Sequence, residues 1–305
     1  SIFTTMKKLS FKKIDAFATA KSTGNPAGFI WLNSLNEIKE ETRQQIAREL
    51  KGFVSEVGYA AQVGPNEIDL CYFSVEREVE FCGHATIAIL YDLVCTREEF
   101  GQMPELIINT KRGSLHVENR LKTEDSVFIM SPEPIYYEQV PASDKIATNL
   151  GIDASKIANH YPITIINAGL STLLVPIEDL ETMLSINPEL TSLKEFCVKS
   201  DIDIIEVFTP DVSGSQSHYR TRVFAPRFGY LEDPATGSGN SAFGYYLLKY
   251  NLWPAETIVI EQNGEKENFN IVKLQKKTDS NGTVRVWFGG KAITRIEGTY
   301  CVHND

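Results

Sequence analysis

The sequence predicts an α+β fold made of two related halves, each wrapping a curved sheet around one buried helix. Two glycine turns carry the first part of that expectation. Phe81-Cys82-Gly83-His84-Ala85-Thr86 and Glu232-Asp233-Pro234-Ala235-Thr236-Gly237-Ser238-Gly239-Asn240 stand about half a chain apart, and each follows a strand-like run and opens a helix. Both helices, one through Ile87–Val94 and the other through Ala242–Leu248, are apolar on nearly every face, which means burial rather than a surface position. Strand-like runs fill most of the remaining chain, so the sheets have to surround those helices.

In chain order, Leu9–Phe17 alternates apolar and polar residues as a half-buried strand does. Ser22-Thr23-Gly24-Asn25-Pro26 then marks a turn before a second strand, Ala27–Leu32, giving a hairpin. Ile38, Ile46, Ala47 and Leu50 among charged residues describe an amphipathic helix from Asn36 to Leu50, ended by Gly52. Strands follow at Val54–Gln62 and Leu70–Val75, then the helix from Gly83, then strands at Leu106–Thr110, Ser114–Glu118 and Ser126–Met130. Pro132 and Pro134 place a boundary near residues 131–135, with residues 1–131 as the N-terminal half and 132–289 as the C-terminal half.

The second half repeats the grammar of the first. After an amphipathic segment from Pro141 to Leu150 come strands at Ile163–Asn167 and Ser171–Pro176, a helix around Pro188–Ser200, strands at Ile202–Phe208 and Tyr219–Ala225, and the Gly237 helix. Ile258–Gln262, Phe269–Leu274 and Val284–Phe288 complete its strands, and Gly289-Gly290 reads as a turn. The last strand, Ala292–Gly298, within residues 290–301, is expected to return to the first half.

Composition narrows the function classes. The 305 residues are 42% hydrophobic and 23% charged, as in an ordinary globular protein. A net charge of −10 argues against nucleic acid or anionic lipid as general partners. The five cysteines are scattered, with no CxxC or Cys/His metal spacing, and read as reduced thiols. No apolar run reaches the ~18–20 residues of a membrane span, and Ser1–Lys8 is too short and mixed for a signal peptide. A cytoplasmic protein without membrane or nucleic-acid partners is the expectation. Met6 reads as the natural start, with Ser1–Thr5 additional to it.

The glycine turns suggest chemistry. At a helix N-terminus free N–H groups and the positive end of the dipole favour an anion, and glycine lets the ligand approach the backbone. Gly83, Gly237, Ser238 and Gly239 are therefore candidate anion-binding positions, and small residues capping two core helices are the plainer alternative. Glu56 interrupts the apolar run Phe53–Ala60, where a carboxylate is costly unless paired or protonated. A solvent-facing glutamate is the alternative there. Gly237-Ser238-Gly239 lacks the third glycine and the acidic residue of a dinucleotide fingerprint in the required context, so no nicotinamide, flavin or metal is expected.

Asp15-Ala16-Phe17, Gly24-Asn25-Pro26-Ala27, Ser55-Glu56, Phe81–Thr86, Phe224-Ala225-Pro226-Arg227-Phe228-Gly229 and Glu232–Asn240, in that order, resemble the PhzF-like proteins of phenazine biosynthesis. The resemblance spans most of the chain. It implies the diaminopimelate-epimerase-like fold, with two pseudo-symmetric domains, each a curved mostly antiparallel sheet around a central helix, an active site in the cleft between them, and a homodimer. It also implies a cofactor-independent isomerase or epimerase acting on a small carboxylate-bearing metabolite. Glu56 matches the family's general acid/base, and His84 and Asp233 match polar residues flanking the substrate. Ser238 and the turns at Gly83, Gly237 and Gly239 match the anion-binding helix ends, and Asn25 matches a substrate-contacting asparagine.

Partial burial is expected to raise the Glu56 pKa toward neutrality, so that one carboxyl takes a proton from one carbon and returns it to another. The departures from the pattern are specific. Diaminopimelate epimerases use two opposed cysteines, whereas here Cys82 stands beside the first turn and Ala235–Ser241 holds none, which disfavours a two-thiol racemase. Cys82 then reads as a small buried residue. Residues 261–268 stray from the family's glycine-rich pattern, which keeps open a catalytically silent binding or scaffold protein that retains the anion site.

Overall fold

The computed structural model describes residues 6–303, so the expectation for Ser1–Thr5 lies outside the described residues. The chain forms two compact units, one of Ser1–Ala18, Thr23–Ile129 and Gly290–Asp305, the other of Thr19–Ser22 and Met130–Gly289. The fold is the mixed α and β architecture of the diaminopimelate-epimerase class.

In the first unit, β1 (Met6–Ala16) and β2 (Asn25–Leu32) form the hairpin that the Ser22–Pro26 turn predicts, paired from Ser10 with Trp31 to Ala16 with Asn25. Helix α1 (Glu40–Glu49) buries Ile46 and Ala47. β3 (Glu56–Gly64) then runs parallel to β2, β4 (Glu67–Ser74) antiparallel to β3, and the short β5 (Glu78–Val79) turns back along β4. Helix α2 (Gly83–Thr96) follows at once, then α3 (Glu98–Gly101), β6 (Glu105–Thr110), β7 (Gly113–Arg120), α4 (Leu121–Glu124) and β8 (Ser126–Met130). β6 lies parallel to β4, and β7 and β8 add antiparallel neighbours.

The second unit comprises β9 (Ile135–Tyr137), α5 (Ser143–Leu150), β10 (Thr164–Asn167), β11 (Ser171–Pro176), α6 (Leu180–Ser185), α7 (Leu190–Lys199), β12 (Ile204–Thr209), β13 (Tyr219–Phe224), β14 (Glu232–Asp233), α8 (Gly237–Lys249), β15 (Ile258–Gln262), β16 (Asn270–Thr278) and β17 (Val284–Gly290). Its connections repeat those of the first unit strand for strand. β12 is parallel to β11 as β3 is to β2, and β15 is parallel to β13 as β6 is to β4. β14 folds back on β13 just before α8, as β5 folds back on β4 just before α2. The final strand β18 (Ala292–His303) pairs antiparallel with β1 and runs past the predicted end at Gly298.

One local expectation fails. Gly289 and Gly290 are not a turn: β17 continues through both, with Gly289 opposite Lys273, and the strand is interrupted only at Lys291. Glycine marks a close backbone approach as readily as a turn, and its identity alone does not separate the two.

Both central helices are buried on nearly all sides, which explains their lack of a polar face. In the first unit the approach is close enough that a Cβ on Gly58 of β3 would run into Ile89 of α2. In the second unit a Cβ on Gly244 of α8 would stand 2.8 Å from Val286 of β17. All five cysteines are free thiols. Among the described residues no helix is long and apolar enough to cross a membrane.

Candidate active site

The structure gathers the sequence-predicted residues into two sets, one at the start of each central helix. In the first unit, β5 delivers the chain to α2, whose N-terminal turn holds Cys82, Gly83 and His84. No side chain caps this turn and no acidic residue lies within it, so the positive end of the helix is left uncompensated by its own sequence. Thr86 closes the turn by donating from Oγ1 to the Cys82 carbonyl at 2.7 Å.

Glu56 opens β3 and is brought to that turn by the pairing of β3 with β2 and β4, opposite Ala27 and Ser74. Its Oε2 lies 3.2 Å from His84 Nε2, an ion-pair contact between two side chains only 21% and 12% exposed. The same oxygen is buried and accepts no aligned hydrogen bond. Ser55 Oγ is 3.0 Å from Asn25 Oδ1, 2.8 Å from the Pro26 carbonyl and 3.1 Å from His84 Nε2. A hydroxyl that donates to a carbonyl oxygen accepts from its remaining neighbour, so Nε2 carries a hydrogen. On the other side of the ring, Cys82 Sγ is 3.3 Å from Nδ1. Asn25 therefore reaches the site through Ser55, and Cys82, read from sequence as a filler, is a direct neighbour of the imidazole.

The electrostatics reverse the expectation for Glu56. Burial alone pushes its carboxyl up, but the His84 charge and the polar side chains of His84, Cys82 and Ser55 around it outweigh burial, and the net direction is down. Burial alone lowers the His84 imidazole, yet Cys82 and Glu56 beside it raise it well above the ordinary histidine value. Burial also pushes the Cys82 thiol up, with the Glu56 charge adding to the effect, so the sulfur stays protonated at neutral pH. The pair is a carboxylate facing an imidazolium.

In the second unit, α8 starts at Gly237 with Ser238 and Gly239 in its first turn, again with no side-chain cap and no acidic residue. Thr236 Oγ1 donates to the Asp233 carboxylate. Gln262 organises the rest: its Oε1 accepts from the Thr236 N–H at 3.0 Å and from Asn240 Nδ2 at 2.7 Å, and its Nε2 donates to the Asp233 carbonyl at 3.0 Å. A Cβ on Gly237 would stand 2.7 Å from the Phe288 ring, and one on Gly239 2.6 Å from Glu206 Oε1. Glu206 is fully buried with neither oxygen hydrogen-bonded, and burial raises its carboxyl well above the ordinary range.

Beyond Gln262, sequence reasoning missed Arg220 and Glu261, an ion pair with no exposure at 2.6 Å. The Arg220 guanidinium also donates to the carbonyls of Asn263, Glu265 and Lys266, and Glu261 accepts from the N–H groups of Ser213 and Gly214. This network gives the irregular 261–268 stretch its shape and anchors Gln262 beside Asp233. The available signal was charged residues within runs that read as strands, Arg220 and Arg222 in Tyr219–Phe224 and Glu261 in Ile258–Gln262.

Comparison with known proteins agrees with this architecture. Residues 14–298 match the family model described as phenazine biosynthesis-like protein. An uncharacterized isomerase of Clostridium acetobutylicum is 26% identical over 295 residues, covering 94% of this chain and 96% of the relative. An uncharacterized isomerase of Bacillus subtilis is 28% identical over 298 residues, covering 95% and 99%. The crystal structure of a PhzF-family phenazine biosynthesis protein from Bacillus anthracis superposes with a TM-score of 0.82 at 22% identity, covering 96% of this chain and 99% of that one. The fold is shared with that PhzF-family protein, and the chain belongs to the phenazine biosynthesis-like protein family.

Proposed function

We propose that the protein is a cofactor-independent isomerase that moves a proton on a small carboxylate-bearing metabolite, with Glu56 as general base and His84 as its acid partner. Family membership and the isomerase names of its relatives support the reaction class. The observation that carries the residue assignment is the buried contact of 3.2 Å between Glu56 and His84 at the uncapped start of α2.

A C–H beside a carboxylate is weakly acidic, so the reaction needs a positioned base and a way to hold the charge that develops. The Glu56 carboxylate takes the proton, the electron pair of the C–H bond moves into the substrate's carboxylate, and the N–H groups of Gly83 and His84 stabilise the charge on its oxygens. His84, as imidazolium, or Glu56 itself then delivers a proton to a second carbon, and the double bond shifts. Because the two groups adjoin, they serve one face of a substrate. That favours a proton shift over epimerisation, which needs a second group on the opposite face. Within the second unit, taken by itself, the N–H groups of Gly237, Ser238 and Gly239 offer an anion-binding helix start of the same kind, beside Asp233, which Thr236 and Gln262 fix.

Solvent-deuterium incorporation into a panel of small unsaturated and amino carboxylic acids, followed by mass spectrometry for wild type and Glu56→Gln, tests the reading. Incorporation by wild type and its loss in the variant is the expected result. Equal incorporation by both would remove Glu56 from the chemistry, and thermal stabilisation by a panel member without any incorporation would favour a binding protein instead.

A further inference from the structure

The His84 ring is held from two sides. Its Nε2 stands 3.2 Å from Glu56 Oε2 and 3.1 Å from Ser55 Oγ, while its Nδ1 stands 3.3 Å from Cys82 Sγ. Among the described residues that sulfur is the one hydrogen-bond partner of Nδ1. We propose that Cys82 is a positioning residue: its sulfur accepts from the His84 Nδ1–H and fixes the ring so that Nε2 is the atom that delivers the proton. This role rests on the proton transfer proposed above.

The sulfur is firmly placed. Cys82 is the N-cap of α2 in an extended conformation, and its carbonyl accepts from the Thr86 N–H at 3.1 Å and from Thr86 Oγ1 at 2.7 Å. Having donated there, Thr86 Oγ1 accepts from the buried Tyr72 hydroxyl. Polar N-cap side chains ordinarily turn to the free N–H groups of their own helix. In the second unit Thr236, the N-cap of α8, leaves its helix uncapped and gives its hydroxyl to Asp233 instead. Cys82 does the same at α2, where no side chain caps the helix and the thiol meets His84. In each unit the N-cap side chain serves the titratable residue beside it.

An imidazolium has two N–H donors. Glu56 and Ser55 meet the one on Nε2, and without Cys82 the other would be left unpaired in a side chain only 12% exposed. The hydrogen bond made by one ring nitrogen sets what the other can do. A neutral thiol is a weak acceptor, so it orients the ring without the pull of a second carboxylate. The proton count closes on these groups. Glu56 takes the proton of the substrate's C–H, and the imidazolium gives its Nε2 hydrogen to the second carbon. His84 is then neutral, with its remaining hydrogen on Nδ1 against the sulfur, and its bare Nε2 faces the protonated Glu56 across 3.2 Å. Transfer of that proton to Nε2 restores the resting ion pair. The thiol keeps its own hydrogen throughout, and nothing is oxidised.

The test compares wild type with Cys82→Ala, which removes the acceptor, and Cys82→Ser, which puts an oxygen in its place. Deuterium incorporation is followed against pH with the panel acid that wild type labels fastest. In Cys82→Ala the saturating rate should fall about 10–100-fold with KM unchanged, because the buried thiol acts through the ring. Cys82→Ser should recover most of that rate. The titratable groups against the ring are Glu56 of β3 and Cys82 itself, with the uncharged Ser55 as the third neighbour. Loss of an acceptor for Nδ1–H disfavours the charged ring, so the rate should decline at a lower pH in Cys82→Ala than in wild type, as His84 loses its proton. A slower Cys82→Ala with an unmoved pH profile and no rescue by serine would reduce Cys82 to packing and overturn the role, as would full activity in that variant. Proton NMR of nitrogen-15-labelled protein reads the bond itself: at neutral pH the Nδ1–H should be protected from exchange in wild type and less so in Cys82→Ala, and equal exchange in both would overturn the proposal. Circular dichroism checks folding; should neither variant fold, the wild-type resonance decides, and a freely exchanging Nδ1–H would overturn the role. A wild type that labels no acid would count against the proposed function, while the Nδ1–H measurement still decides whether Cys82 holds the ring.

Discussion

The starts of α2 and α8 are one piece of backbone used twice with different chemistry. Tyr72 pairs with Val79 as Val223 pairs with Asp233, and Val57 pairs with Phe73 as Ile205 pairs with Phe224, which aligns the units residue for residue up to the helices. In both, the fourth helical residue bonds back to the carbonyl before the helix, Thr86 to Cys82 and Asn240 to Thr236. On that register Glu56 corresponds to Ile204, His84 to Ser238, Cys82 to Thr236, and Gly58 to Glu206. The first unit sets a small strand residue, Gly58, against a large helical one, Ile89; the second sets Glu206 against Gly239. What the repeat retains is the uncapped, glycine-started helix, and what diverges is every titratable side chain around it. An ion-paired acid and base stand at one start, with hydroxyl and amide donors and a neutral buried carboxyl at the other.

The comparison can be broken hardest at Glu56. Glu56→Gln keeps the shape of the first start and removes its base, so turnover should fall about 10²–10⁴-fold while the unfolding midpoint moves little; retained turnover would make the two starts chemically equivalent. In the second unit the largest effect should come from Arg220→Ala. It strands the Glu261 charge in a fully buried position, and a cost of about 3–5 kcal/mol in denaturant unfolding is expected.

Gly239→Ala should cost about 1–3 kcal/mol, because its Cβ would stand 2.6 Å from Glu206 Oε1. Adding Glu206→Ala should recover part of that loss, and strictly additive effects in the double-mutant cycle would contradict the packing account.

The smallest expected effect is a pH dependence. The folded protein holds Glu206 protonated, with its pKa raised by burial. The folded state therefore binds more protons than the unfolded one above the ordinary carboxylate value of about 4.3, and stability falls as pH rises from there toward the folded pKa. Glu206→Gln cannot ionise, so its stability relative to wild type should improve with pH by at most about 1.4 kcal/mol per unit. Parallel stability curves would show that Glu206 ionises freely.

Much of this was legible because it lies in local pattern. Gly83 and Gly237 announce the helix starts, the all-apolar runs after them announce burial, and Glu56 is conspicuous in an apolar strand. The network behind them was not legible. β12 and β13 are buried along their whole length, so no alternation marks Glu206 or Arg220 as facing a particular layer. Arg220 and Glu261 are 41 residues apart and meet only through the parallel pairing of β13 with β15. Cys82 and Glu56 meet at the His84 ring only because β3 brings Glu56 to the start of α2, which no spacing in the sequence announces. The direction of the Glu56 shift depends on His84 in the same way: burial can be guessed from one residue, but a partner's charge requires the fold.

The most direct test of the difference between the two helix starts is the charge on His84, followed by nitrogen-15 NMR of the imidazole against pH in wild type and Glu56→Gln. In wild type both ring nitrogens should remain protonated well above the ordinary histidine value of about 6.5, and the titration should move down when Glu56 loses its charge. A histidine that titrates at its ordinary value in both proteins would contradict the ion pair and, with it, the assignment of the acid and base to the start of α2.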